Sequence, residues 1–154
     1  MEHTERGRIV VGIDGSPGSR EALRHAVREA RCHDLRIVAV RAVAEALPTS
    51  PLLVEGIAMP PIDPSWLEDE AAGQLERLVD EETATSGVEV EQKVVTGRPA
   101  TVLLREAEGA EMIVIGSRGL GGFRGLLLGS VGHQVTAHAT CPVVVLPHDA
   151  TQDA

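Results

Sequence analysis

The chain reads as an α/β protein, a doubly wound sheet of five mostly parallel strands with helices on both faces, and three observations predict it. Short apolar runs alternate with segments of helical periodicity in the order βαβαβαβαβ. Most of those runs are continuous rather than alternating, as strands covered on both faces require. Hydrophobic residues make up 43% of the 154, yet Trp66 and Phe123 are the only aromatics. The core is therefore aliphatic, as valine-rich strands under alanine-rich helices would make it. At this length one domain over 1–154 is expected, with loose tails at 1–6 and 149–154.

The first strand is Arg8–Asp14, an apolar run between Gly7 and Gly15 that ends in an acid. Ser16 then caps a helix whose first position is Pro17 and whose inner face is Ala22, Leu23, Ala26, Val27 and Ala30. Leu35–Val43 is a second buried strand. The stretch from Ala44 to Pro64 carries prolines at 48, 51, 60, 61 and 64 and cannot hold regular structure for long, so it reads as a surface loop. Ser65 and Glu68 have the spacing of a capping box, opening a helix through Leu67, Ala71, Leu75, Leu78 and Val79 that stops near Gly87. Val88–Thr96 alternates before turning apolar, as a strand near the sheet edge does. After the turn at Gly97-Arg98-Pro99, a third helix carries Val102, Leu103 and Ala107 and ends near Gly109. It leads to the strand Met112–Gly116. A glycine-rich loop, a last helix from about Ser130 to Thr140 and the strand Pro142–Leu146 complete the chain. Crossovers of this length return the chain in the same direction, and ligands of such sheets bind beyond the carboxyl ends of the strands where the strand order reverses. Asp14 and Gly116 both stand at carboxyl ends; if their strands are neighbours, the acid and the glycine loop share one crevice.

Charge and composition remove several function classes. Fourteen basic against twenty-three acidic residues leave a net charge of −9, which argues against a general nucleic-acid or anionic membrane surface. No segment approaches the roughly 20 apolar residues of a membrane span, and the apolar run near the N-terminus is too short for a signal peptide, so a cytoplasmic location is expected. Cys32 and Cys141 stand far apart in no ligand spacing and read as inert thiols. His133 and His138 are five residues apart, which does not place two ligands on one helix face. No serine sits in a GxSxG elbow, so nucleophilic catalysis has no named residue.

The chemistry concentrates between residues 116 and 130, where a buried strand runs through Gly-Ser-Arg-Gly-Leu-Gly-Gly-Phe-Arg-Gly-Leu-Leu-Leu-Gly-Ser into a helix. Glycine lets backbone N–H groups turn toward a ligand and approach it closely, and the helix start adds partial positive charge. That is the context of a phosphate cradle. It is neither GxxxxGK[ST] nor GxGxxG, because Arg124 stands where the last glycine of the second pattern would fall. Arg118 and Arg124 are cations within reach of an anion held there, although exposed arginines are more often simply solvated. Of Leu126, Leu127 and Leu128, leucines entering a helix usually pack under it or against a partner.

The spacing Gly-x2-Gly-x9-Gly-Ser at Gly116, Gly119, Gly129 and Ser130 resembles the ATP-binding branch of the universal stress protein family. The likeness covers nearly the whole chain, from the opening IVVGIDGS through Gly97-Arg98-Pro99 to the closing Thr140-Cys141-Pro142-Val143-Val144-Val145. The resemblance implies a Rossmann-like fold of the adenine-nucleotide alpha-hydrolase type. It places Gly116 near the ribose, Gly119, Gly129 and Ser130 around the phosphates of ATP, and Asp14 near the adenosine. It assigns adenine recognition to backbone groups at the end of strand two, at Ala42 when Arg41 is aligned with a frequent histidine. Gly132 departs from the family, which often has serine or threonine there. Mg²⁺ on the phosphates and a homodimer paired through the last strand, Val143–Leu146, are further implications. The function so implied is an ATP-binding switch or sensor in stress response, read by a protein partner. Two alternatives stay open, a slow ATPase and a nucleotide-free dimeric interaction module. The loop has no lysine, which speaks for holding ATP over splitting it.

Overall fold

A computed structural model describes residues 7–45, 53–54, 57–58, 65–120 and 127–147. The two tails therefore lie outside the described residues, as do Phe123, Arg124 and Leu126. In chain order the elements are β1 (Arg8–Gly12), α1 (Pro17–His33), β2 (Arg36–Val43), β3 (Leu53–Val54), β4 (Ile57–Ala58), α2 (Ser65–Thr83), β5 (Val90–Thr96), α3 (Pro99–Glu106), β6 (Met112–Gly116), α4 (Ser130–His138) and β7 (Val143–Leu146). Five strands form one sheet in the order β5-β2-β1-β6-β7. Every pairing in that sheet is parallel, so the expected "mostly parallel" sheet is parallel throughout.

The register follows from the apolar runs. Val10 lies opposite Val38 on one side and Ile113 on the other, and successive residues of β1 enter opposite cores. Ile9 and Val11 join α1 and α2 residues such as Leu23, Ala26, Leu75 and Leu78 on one face. Val10 joins Val102 and Leu103 of α3 and Val135 of α4 on the other. Both faces of the strands are covered, which is why their sequence does not alternate. Each fully buried valine, leucine or isoleucine contributes about 1.5–3 kcal/mol. The sheet is the rigid floor on which the loops at its carboxyl end stand.

Element ends depart from the sequence pattern for local reasons. β1 stops at Gly12, two residues before Asp14, although the Ile13 amide still donates to the Val40 carbonyl at 2.9 Å. Asp14 turns the chain by accepting the Ser16 amide at Oδ1, and Gly15 supplies the positive φ of 85° that the turn needs. The Ser16 cap forms as expected, its Oγ accepting the Ser19 amide at 3.2 Å. α4 stops at His138 rather than Thr140, because Cys141 precedes Pro142 and the chain must extend before it. α2 includes Ser65, and Glu68 Oε1 accepts the Thr96 hydroxyl at 2.7 Å, tying the helix to the end of β5. In the proline-rich stretch, β3 and β4 form a two-residue antiparallel ladder.

A charge cluster joins α1 to α2. Arg24 and Arg20 both reach the largely buried Glu82 carboxylate, at 2.6 and 3.1 Å, and Arg20 also reaches Glu81 at 2.7 Å. The hydrogen bond from Arg24, joined by that from Arg20, holds the Glu82 carboxyl below its ordinary value of 4.5. A depressed carboxyl stabilises the fold above its unfolded pKa, and the contribution is lost as pH falls through the lower folded value. Both guanidiniums are well exposed, so screening keeps the effect small. Glu82→Gln is expected to lower stability by about 1 kcal/mol at pH 7, with the gap to wild type narrowing as pH falls below the ordinary carboxyl value of 4.5, in urea denaturation across that range.

Candidate functional site

The strand order reverses between β1 and β6, whose loops leave the sheet on opposite faces. A cavity of about 410 Å³ opens there. Asp14, Ala42, Gly116, Gly119, Gly129 and Ser130, the six positions singled out in the sequence, all line it. Its floor and walls are otherwise mostly apolar, with Ile13, Val40, Leu103, Ile115 and Val131 among them. The volume falls within the range of small-molecule sites, about 300–1,000 Å³.

Each glycine is there for a different physical reason. A Cβ on Gly116 would stand 2.8 Å from the carbonyl carbon of Gly18 and 3.0 Å from its Cα and oxygen. Gly116 thus lets the first turn of α1 lie directly on the end of β6. That packing role stands beside any approach to a ligand at this cavity-lining position. Gly18 did not stand out in the sequence, although a glycine inside the first turn of a helix was its signal. A Cβ on Gly119 would stand 2.4 Å from Asp14 Oδ2. The same oxygen accepts the Leu120 amide at 3.1 Å while Oδ1 takes the Ser16 amide at 2.9 Å. Asp14 therefore clamps the first half of the glycine loop to the end of β1. Gly129 is different: a Cβ there would meet nothing nearer than the Ser117 carbonyl at 3.5 Å, and its φ of −73° suits any residue. The fold does not require Gly129 to be glycine.

Of the helices that begin at this end of the sheet, α1, α3 and α4 border the cavity. α1 is capped by its own Ser16, and α3 begins with Pro99, which has no N–H. α4 has Gly129 as N-cap and receives no side-chain cap. Its first amides, on Ser130, Val131 and Gly132, belong to residues that line the cavity, and the intrahelical ladder starts only with the His133 amide donating to the Gly129 carbonyl at 2.9 Å. Uncapped first-turn amides together with the helix dipole favour an anion. Half-buried Arg118 lines the same cavity.

At the other end stands Ala42. Backbone groups alternate sides along a strand: Val40 accepts from Ile13 toward β1, and Val43 accepts from Gly97 toward β5. Ala42 therefore turns its N–H and C=O toward β1, beyond Gly12, the last residue of β1 paired with β2. Neither group takes a backbone partner among the described residues. An adjacent donor and acceptor face the crevice.

A model of the universal stress protein family matches residues 5–147. The chain belongs to this family. It is 38% identical over 147 residues to a universal stress protein of Mycolicibacterium smegmatis, an alignment covering 94% of this chain and 47% of the relative. The chain thus spans about half the length of the curated relatives it matches. Among solved structures, UspA from Lactobacillus plantarum superposes with a TM-score of 0.74 at 24% identity, covering 92% of this chain and 98% of that one. A universal stress protein in complex with cAMP gives 0.69 at 24% identity, covering 95% and 100%. One from Archaeoglobus fulgidus in complex with dAMP gives 0.61 at 24%, covering 92% and 98%. At such identities the likeness establishes the fold, and the five-stranded parallel sheet is that of the family.

Other groups take no part in the crevice. Cys32 is exposed, and burial pushes the Cys141 thiol up, away from reactivity. His138 Nδ1 lies 2.9 Å from the Gln134 carbonyl of its own helix. Among the described residues no group of three His, Cys, Asp or Glu side chains is placed to hold a metal ion, and no helix is long and apolar enough to cross a membrane.

Proposed function

We propose that this domain binds an adenine nucleotide in the β1/β6 crevice, ATP with Mg²⁺ on its phosphates, and acts as a nucleotide-dependent switch in stress response. One observation carries the reading: the uncapped amides of α4 and the unpaired backbone edge of Ala42 open into the same cavity. The Ala42 carbonyl is suited to accept from the exocyclic amine of adenine, and its N–H to donate to the neighbouring ring nitrogen. Gly119, Gly129 and Ser130 lie at the phosphate end. Asp14 is suited to the adenosine side, although both its oxygens already accept amides. Family members solved with cAMP and dAMP support an adenine ligand. Mg²⁺ needs few protein ligands when phosphates supply the rest, which suits a site without a carboxylate cluster. The lining carries one cation, Arg118, and one carboxylate, Asp14, among the described residues. Such a set favours holding the nucleotide over hydrolysing it. A cytoplasmic location and a protein partner that reads the bound state complete the proposal.

The test is mass spectrometry of what the purified protein releases on denaturation. Stoichiometric adenine nucleotide is the expected result. Protein that carries none, and takes none up from millimolar ATP, contradicts the reading.

We also propose a homodimer paired through β7. This strand is at the sheet edge, and its four residues are all half-buried. Pro142 and Leu146 accept from Ile113 of β6 and from Ser117 just beyond it, so alternation turns the N–H groups of Val143 and Val145 outward. Val145→Pro removes one outward donor and no bond to β6. The variant is expected to sediment as a folded monomer where wild type sediments as a dimer; an unchanged dimer would place the interface elsewhere.

A further inference from the structure

The glycine loop re-enters the described chain through two leucines with opposite fates: Leu127 is 96% exposed, whereas Leu128 is half-buried. Leu128 directly precedes the N-cap of α4 and stands four residues before Gly132. A Cβ at Gly132 would lie 2.5 Å from Leu128 Cδ1 and 3.0 Å from its Cγ, with Ile115 Cδ1 at 3.6 Å. The space that a side chain at 132 needs is therefore occupied by Leu128. Nothing in the backbone asks for glycine there, since Gly132 is not among the residues of positive φ. Glycine inside a helix is even unfavourable by about 1 kcal/mol relative to alanine. Gly132 is best understood as a socket, and Leu128 as the side chain seated in it.

We propose that Leu128, seated on Gly132, is the positioning residue for the phosphate end of the nucleotide site, an inference that rests on the proposed nucleotide binding. The seat fixes how the loop arrives at Gly129, whose amide donates to the Ser117 carbonyl at 2.7 Å. Ser130, Val131 and Gly132, whose amides open α4, follow directly and line the cavity. Without the seat the amides remain, but the loop end must be ordered when phosphate binds, which weakens binding of the phosphate end. Adenine and ribose, held beside the ends of β1, β2 and β6 on this reading, do not depend on it. A serine placed at 132 would expel Leu128 rather than simply add a hydroxyl to the phosphate site.

The experiment is calorimetric titration with adenosine and, separately, with ATP and magnesium, into wild type, Leu128→Ala, Leu128→Met, Gly132→Ser and the double variant Leu128→Ala/Gly132→Ser. Leu128→Ala is expected to bind ATP about tenfold more weakly and adenosine as wild type does. Leu128→Met, with similar volume, retains the wild-type affinity for ATP. Gly132→Ser resembles Leu128→Ala, and the double variant is no weaker than either single one, because both changes empty the same seat. Equal loss of adenosine and ATP in Leu128→Ala, or no loss of either, overturns the positioning role while leaving the nucleotide reading intact. Wild type that binds neither ligand overturns both.

Discussion

Alanine at Gly116 is expected to lower the stability of the fold by about 3 kcal/mol, a large cost for a single methyl group. The added carbon would stand 2.8 Å from the Gly18 carbonyl carbon, so the clash is with backbone and no rotamer relieves it. Gly18 is confined too, though less, since a Cβ there would lie 3.1 Å from the Arg118 carbonyl oxygen. To make room, the first turn of α1 must lift from the end of β6, loosening the buried Ala22 and Leu23 that follow it. Urea denaturation should show a lower midpoint at unchanged slope. A change below about 0.5 kcal/mol would mean that α1 slides freely over the sheet end, contrary to the interlocking of the two backbones.

Gly129→Ala is expected to act in the opposite way, leaving the fold nearly intact and damaging the site. The new carbon would meet only ordinary contacts, 3.5 Å to the Ser117 oxygen and 3.8 Å to Arg118 Cα. Alanine is a poorer N-cap than glycine, so a cost of up to about 1 kcal/mol is expected in stability. Affinity for ATP should fall at least about tenfold, because Gly129 lines the cavity at the N-cap of α4, where a phosphate must approach the first amides closely. The pair of variants separates two reasons for glycine in this loop: packing against Gly18 at Gly116, and the proposed phosphate contact at Gly129.

Much of the fold was legible in the sequence because its strands are buried on both faces. Continuous runs such as RIVVG and MIVIG leave little choice, and Ser16-Pro17 marks a helix start by local chemistry alone. The ladder of β3 and β4 was not legible, since two-residue strands carry no periodicity. Spacing and resemblance together picked six positions that line one crevice, yet they did not say what each residue touches. The contact of Gly116 with Gly18 and that of Asp14 with the Leu120 amide join segments about a hundred residues apart, at distances that only the folded backbone sets. Gly132 illustrates the same limit from closer by. As a departure from the family pattern it reads as a missing hydroxyl, whereas in the fold it makes room for Leu128.

The central claim is that the α4 amides hold the phosphates of an adenine nucleotide. Calorimetric titration of ATP with magnesium into wild type and Gly129→Ala, with urea midpoints measured on the same samples, tests it most directly. The account predicts saturable binding of one nucleotide per chain to wild type and at least about tenfold weaker binding to the variant, with both folded. Equal affinities in the two proteins, or no binding to wild type, would contradict it.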